Sequence, residues 1–165
     1  MALGQIRYAK HDGLCFIRLS GDVRYTSGSL RTMTESLDLL LVQLFSAKDF
    51  SEIVIDMSAT EAIDSTNMSM LARIAVHARQ AIGSTPTIVC GEAHILQSLD
   101  TMGCDRVFDL VRAPAGETPD ETALKGVVSS ERERVEALVA AYNKFLAMTT
   151  HGEDPFDDIC SVAKI

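Results

Sequence analysis

The sequence predicts an α/β fold: a mixed, mostly parallel β-sheet with helices packed on it, followed by a C-terminal helical extension. Three observations carry this. Short apolar or alternating runs at 5–11, 14–19, 53–55, 86–90 and 106–111 are interleaved with segments whose apolar residues recur at i, i+3 and i+4, giving the order β-β-α-β-α-β-α-β. Strands separated by helices of this length call for crossover connections and therefore parallel neighbours, whereas the first two strands join by a tight turn and make the sheet mixed. Finally, residues 113–122 break the composition with two prolines, and a new amphipathic helix follows.

Residues 5–11 alternate at period two, as a half-buried strand does. Asp12-Gly13 is a hairpin turn, because glycine accepts positive φ and aspartate tolerates it. Residues 14–19 return as the second strand, and Ser20-Gly21-Asp22 is expected to break it. From Leu30 an apolar stripe (Met33, Leu37, Leu40, Leu41, Leu44, Phe45) marks a helix ending near Lys48. Ile53-Val54-Ile55 is continuous and β-branched, the pattern of a central strand covered on both faces, and it ends in Asp56. A polar stretch is then expected to lead as a loop into Ile63-Asp64-Ser65-Thr66, with a helix from near Met68 to Ala81 stopped by Gly83-Ser84. Residues 86–90 form another buried strand, 93–101 a short helix with Ile95, Leu96 and Leu99 inward, and 106–111 an edge strand. The domain reading is thus 1–112, a linker over 113–129, and a helical extension over 130–165. In that extension Ser130 and Glu133 form a capping box, and Val135, Leu138, Val139, Tyr142, Phe145, Leu146 and Thr149 make one stripe. This stripe either packs on the sheet domain or binds a partner groove or a second copy of the chain. Residues 156–163 are read as one more helical turn.

The chain has 165 residues, 47% of them hydrophobic, and a net charge of −8, enough for one domain with a real core plus an appendage. Residues 116–165 hold ten acidic and five basic side chains, and so carry −5 of that charge. The acidic balance argues against nucleic-acid partners, which need a positive face, and against a polybasic membrane anchor. No apolar run reaches membrane-spanning length and no signal peptide opens the chain, so a cytoplasmic protein is expected. Cys15, Cys90, Cys104 and Cys160 form no C-x-x-C pair, and the four histidines lack ligand spacing, so neither metal nor cofactor is expected. Cys15 and Cys90 read as buried small hydrophobes, and His77 as a surface or boundary residue.

The stretch from Glu52 to Asn67 is the most informative. A strand leading to a hydroxyl-rich turn at a helix start places Ser65 and Thr66 where helix amides gather, so a phosphate added there would be partly stabilised. Taken alone, Ser65 or Thr66 serves equally as a plain N-cap. The arrangement, however, resembles the phosphorylation loop of STAS domains, the anti-sigma-factor antagonist family. Two further stretches resemble it in the right order. Leu19-Ser20-Gly21-Asp22-Val23 is similar to the family's Gly-Glu-x-Asp turn. Gly91, with Leu96 to Gly103 and Val107-Phe108-Asp109, is similar to its closing helix and strand. The resemblance spans about residues 3–112.

It implies a non-enzymatic switch that binds an anti-sigma factor or a related regulator. Ser65, the serine after the loop aspartate, would be the phosphoacceptor, with Thr66 as the alternative. A serine-protein kinase of the GHKL type would add the phosphate and a PP2C-like phosphatase would remove it. Asp22, Arg24, Asp64, Thr66, Asn67 and Met68 would line the partner-binding surface. The family's Asp-Ser-x-Gly-Leu-Gly reads Asp64-Ser65-Thr66-Asn67-Met68-Ser69 here, with both glycines replaced, and Arg24 stands where the first loop usually has an acidic residue. Two rival readings are a docking scaffold that is never phosphorylated and a small nucleotide-binding module. The second lacks both G-x-x-x-x-G-K-[ST] and G-x-G-x-x-G.

Overall fold

A computed structural model describes residues 4–24, 45–46, 49–112, 129–148 and 155–158. The helix expected over 30–47 falls outside these residues except at its end, where Phe45 is buried. Gln5–His11 (β1) and Leu14–Val23 (β2) form an antiparallel hairpin, with Asp12 at φ 50 and Gly13 at φ 75 making its turn. Positive φ at both central residues is what a type I′ two-residue hairpin turn requires, and aspartate followed by glycine supplies it. Glu52–Ile63 (β3), Thr87–Cys90 (β4) and Asp109–Arg112 (β5) continue the sheet in parallel, and a two-residue strand, Asp157–Asp158 (β6), pairs with β1. The order across the sheet is β5-β4-β3-β2-β1-β6. Ser65–Ala81 (α1), Ala93–Thr101 (α2) and Ser129–Met148 (α3) are the described helices, and a 3-10 turn, Cys104–Arg106, precedes β5.

Four expectations need correction. Ser20-Gly21-Asp22 does not break β2, which runs on to Val23. β3 does not end at Asp56; the polar residues Ser58, Thr60 and Glu61 lie within it. The two errors share a cause. β2 and β3 pair with register shifts between Arg18 and Ser20 and between Gly21 and Asp22, each taking an extra residue on the β3 side. Such bulges let a ladder continue through a sequence that breaks strict alternation. Asp56 steadies the first by accepting the Ser58 N–H at 2.8 Å, and the Thr60 hydroxyl donates to Leu19 O at 2.8 Å. The last main strand begins at Asp109 rather than 106, because the 3-10 turn takes the preceding residues. Residues 157–158 add an edge strand instead of a helical turn.

The period-two alternation of the strands splits the core between the two faces. Cys15, Ile17 and Leu19 of β2 with Ile53, Ile55 and Met57 of β3 face α1 and α2, meeting Leu71, Ile74, Ala78, Ile95 and Leu99. Phe16, Val54, Val89 and Val111 point the other way and meet Val135, Leu138, Val139, Tyr142 and Phe145 of α3. The C-terminal stripe therefore packs on the sheet. Ring contacts of Phe16 with Tyr142 (4.9 Å) and Phe145 (5.0 Å) mark the centre of that layer, and Phe156 closes it edge-on to Phe145 at 5.9 Å.

Polar contacts fix the register of α3. Arg134 donates to Glu52 at 2.7 Å and to Asp109 at 2.6 Å, spanning the starts of β3 and β5. The Tyr142 hydroxyl donates to Asp56 at 2.5 Å, with Arg18 Nε at 3.6 Å from the same carboxylate oxygen. Asp56 is only 2% exposed, so these partners are what make its burial tolerable. Burial, then the Asp56 charge and hydrogen bond, push the Tyr142 phenol above its ordinary range.

Candidate functional site

The site is built where β2 and β3 end together and α1 begins. Asp22 is in register with Ala62 and Val23 with Ile63. Asp64, extended at φ −106 and ψ 173, is the N-cap: its Oδ1 accepts the Asn67 N–H at 2.9 Å. Its carbonyl accepts the Met68 N–H at 3.0 Å, closing the first helical turn. The cap role read for Ser65 or Thr66 goes instead to Asp64, and the helix starts at Ser65 rather than near Met68. An acidic cap also suits the positive end of the helix dipole.

Ser65 and Thr66 are the first two helical residues, and both are exposed, as is Ser69. Their N–H groups belong to the first turn, which has no acceptors within the helix. Because Asp64 supplies the cap, the Ser65 hydroxyl is not needed for that purpose.

Asn67 and Met68 were expected to present side chains to a partner, and both are instead taken into the fold. Asn67 is 0% exposed; its amide donates to Val23 O at 3.2 Å and to Asp64 Oδ1 at 2.9 Å. Met68, at 7%, and Met70, at 4%, lie in the core against the sheet. Helical spacing explains this: Asn67, Met70, Leu71, Ile74 and Ala78 share the inward face, while Val76 points out. His77 sits at the boundary, stacked on Phe45.

Asp22 and Arg24 form a bidentate pair, with both N–H···O bonds at 2.6 Å. The hydrogen bond and charge of Asp22, with a smaller contribution from Asp64, raise the pKa of Arg24. The structure therefore brings Asp22, Arg24, Asp64, Ser65 and Thr66 to one edge of the sheet, the carboxyl ends of the parallel strands. Across that edge, the His94 ring approaches Glu61 O at 3.2 Å. Gly91 passes so close to β3 that a Cβ there would stand 2.6 Å from Ser58 O.

Two polar clusters were not anticipated from the sequence: Tyr142–Asp56–Arg18 and Arg134–Glu52–Asp109. The only signal available was that Tyr142 lies in an apolar stripe and Asp56 at the end of an apolar run. Cys15, Cys90 and Cys104 are free and buried; burial pushes the Cys15 thiol up to about 12 and the Cys90 thiol up to about 11. Among the described residues no group of three or more His, Cys, Asp or Glu side chains could hold a metal, and no helix is long and apolar enough to cross a membrane.

No family model and no curated protein matches the sequence. Solved structures do match. The chain is similar to an anti-sigma factor antagonist from Mycobacterium paratuberculosis, with 19% identity and a TM-score of 0.51, over 65% of this chain and 84% of that one. It is also similar to SpoIIAA, a Bacillus cell fate determinant solved in its phosphorylated form, with 10% identity and a TM-score of 0.50, over 67% of this chain and 92% of that one. The fold is that of a STAS domain, a mixed and mostly parallel sheet with helices on it.

Proposed function

We propose that this chain is an anti-sigma-factor antagonist, a cytoplasmic binding switch whose state is set by phosphate on Ser65. The observation that carries the reading is the exposed Ser65 hydroxyl at the first position of α1, directly after a capping aspartate. A GHKL-type kinase would transfer the γ-phosphoryl of ATP to Ser65 Oγ; the hydroxyl proton is lost and ADP leaves. A PP2C-like phosphatase would hydrolyse the ester back to serine and inorganic phosphate. The anti-sigma factor would dock on the edge formed by Asp22, Arg24, Asp64, Ser65 and Thr66.

The physics favours a switch without large motion. Phosphorylation adds about −1.5 to −2 charges and three acceptor oxygens beside an existing carboxylate. The first-turn amides can meet those oxygens, so the fold persists while the surface becomes more negative. Weakening the partner by about 1.4 kcal/mol lowers affinity tenfold, and a single desolvated charge clash reaches that.

The test is capture from the native cell with Ser65→Ala and Ser65→Asp chains, alongside mass spectrometry of the unmodified protein. A partner held by the alanine variant and lost by the aspartate variant, with phosphate mapped to Ser65, is expected. Equal binding by both variants sinks the switch, and phosphate on Thr66 alone moves it one residue along the helix.

A further inference from the structure

The Asp22–Arg24 pair stands where this switch would act. The carboxylate of Asp22 is 14% exposed and the guanidinium side chain of Arg24 49%, so the anion is largely covered while the cation reaches into solvent. The end of β2 is fixed against α1: Val23 pairs with Ile63 and its carbonyl accepts from Asn67 at 3.2 Å. Arg24 follows Val23 directly, and Ser65 follows Ile63 by two residues. We infer that Arg24 is the counter-ion of a phosphoryl group on Ser65, its fork turning from Asp22 to the phosphate and leaving the Asp22 charge to face the partner.

Competition between two anions for one guanidinium decides the exchange. A phosphate dianion carries about twice the charge of a carboxylate and offers three oxygens, and the planar fork of arginine matches it bidentately. The rise in the Arg24 pKa that Asp64 contributes shows that the guanidinium already lies in the field of the residue next to Ser65. The modification would then move a positive charge as well as add negative ones. A partner that reads the Asp22–Arg24 pair would lose it even where it does not touch the phosphate. This inference rests on the reading of Ser65 as phosphoacceptor.

The experiment uses the full chain with phosphoserine placed at position 65 during translation, followed by phosphorus NMR across the second phosphate ionisation, near pH 6. With Arg24 present the phosphate is expected to titrate about half a pH unit or more below its position in an Arg24→Gln chain, because an adjacent cation favours the dianion. Arg24→Lys should recover only part of that difference, since a point charge replaces the fork. Identical titration with Arg24→Gln, or full recovery with Arg24→Lys, overturns the inference. Circular dichroism confirms that each variant folds. Because translation installs the phosphate, the result does not depend on any kinase. A cellular protein lacking phosphate at both Ser65 and Thr66 would sink the proposed function instead, so the two failures are distinguishable.

Discussion

Replacing Asn67 tests whether the start of α1 is anchored from inside. Its side chain is fully buried and donates hydrogen bonds to Val23 O at 3.2 Å and to the Asp64 carboxylate at 2.9 Å. Asn67→Ala removes both and leaves Val23 O without that donor. A neutral bond contributes about 1 kcal/mol and one to a charged group about 1.5–3 kcal/mol, with the latter reduced here because Asp64 is only partly buried. The expected loss is about 2–3 kcal/mol, partly offset by the better helix propensity of alanine, under 1 kcal/mol. For a chain of this size each kcal/mol lowers Tm by about 2–4 °C, so the drop should be about 4–10 °C.

Urea unfolding gives the free energy directly, and hydrogen exchange should show the first-turn amides of α1 opening more often. Asn67→Asp should cost more at neutral pH, since it sets a second carboxylate beside Asp64 and against a carbonyl. Burial and that neighbour raise the introduced group's folded pKa, so the folded variant holds its proton more tightly than the unfolded chain does. Its deficit therefore shrinks as the pH falls through that raised value towards the ordinary range near 4. A loss below about 0.5 kcal/mol for Asn67→Ala, or a deficit for Asn67→Asp that does not narrow in acid, would refute the anchoring role.

Three other outcomes follow from the same geometry. Because the Tyr142 pKa is raised, mainly by burial and then by the Asp56 charge, the phenol stays protonated in the native state through the range near 10 where tyrosine ordinarily ionises. Folding stability should fall as the pH rises through that range, and Tyr142→Phe should make this slope shallower in alkaline urea titrations, leaving the part due to the buried Cys15 and Cys90 thiols, while costing about 1–3 kcal/mol at neutral pH. The Cys15 thiol, pushed up to about 12 and fully buried, should resist alkylation at pH 8 until the chain unfolds, as peptide mass spectrometry would show. Gly91→Ala should destabilise by about 1–3 kcal/mol in denaturant melts, because its Cβ would meet the Ser58 backbone at 2.6 Å.

The strands that positioned the site were legible where burial imposes a simple pattern. Ile53-Val54-Ile55 reads as a two-sided strand because Val54 meets α3 while Ile53 and Ile55 meet the helices on the other face. The far half of β3 was not legible. Past Met57 it pairs with β2 alone, so polar residues are tolerated, and two bulges disrupt the alternation that period counting relies on. Ser65 was singled out by the resemblance of its stretch to a phosphorylation loop, because an aspartate before a hydroxyl at a helix start reads locally as no more than a cap. Asn67 and Met68 were misjudged because the true first helical residue fixes which face each occupies, and the start was placed three residues late. The Asp56–Tyr142 bond joins residues 86 apart, and neither residue type announces the other.

The packing of α3 changes how the C-terminal extension can be probed. Phe16, Val54, Val89 and Val111 would all be uncovered by its removal, and Asp56 would lose the Tyr142 hydroxyl. A truncated chain that no longer bound its partner would therefore report lost folding as readily as a lost contact. With α1 and α2 on one face and α3 on the other, the carboxyl edge of the parallel strands holds Asp22, Arg24, Asp64, Ser65 and Thr66, the end where open α/β sheets usually place their binding residues. Both layers stiffen the strands that deliver this edge. The bulged end of β3 runs from Asp56, anchored by α3, to Asp64, which caps α1. A charge change on the exposed first turn thus acts on a surface held from behind, which is the condition under which a single phosphate can alter recognition without unfolding its own platform.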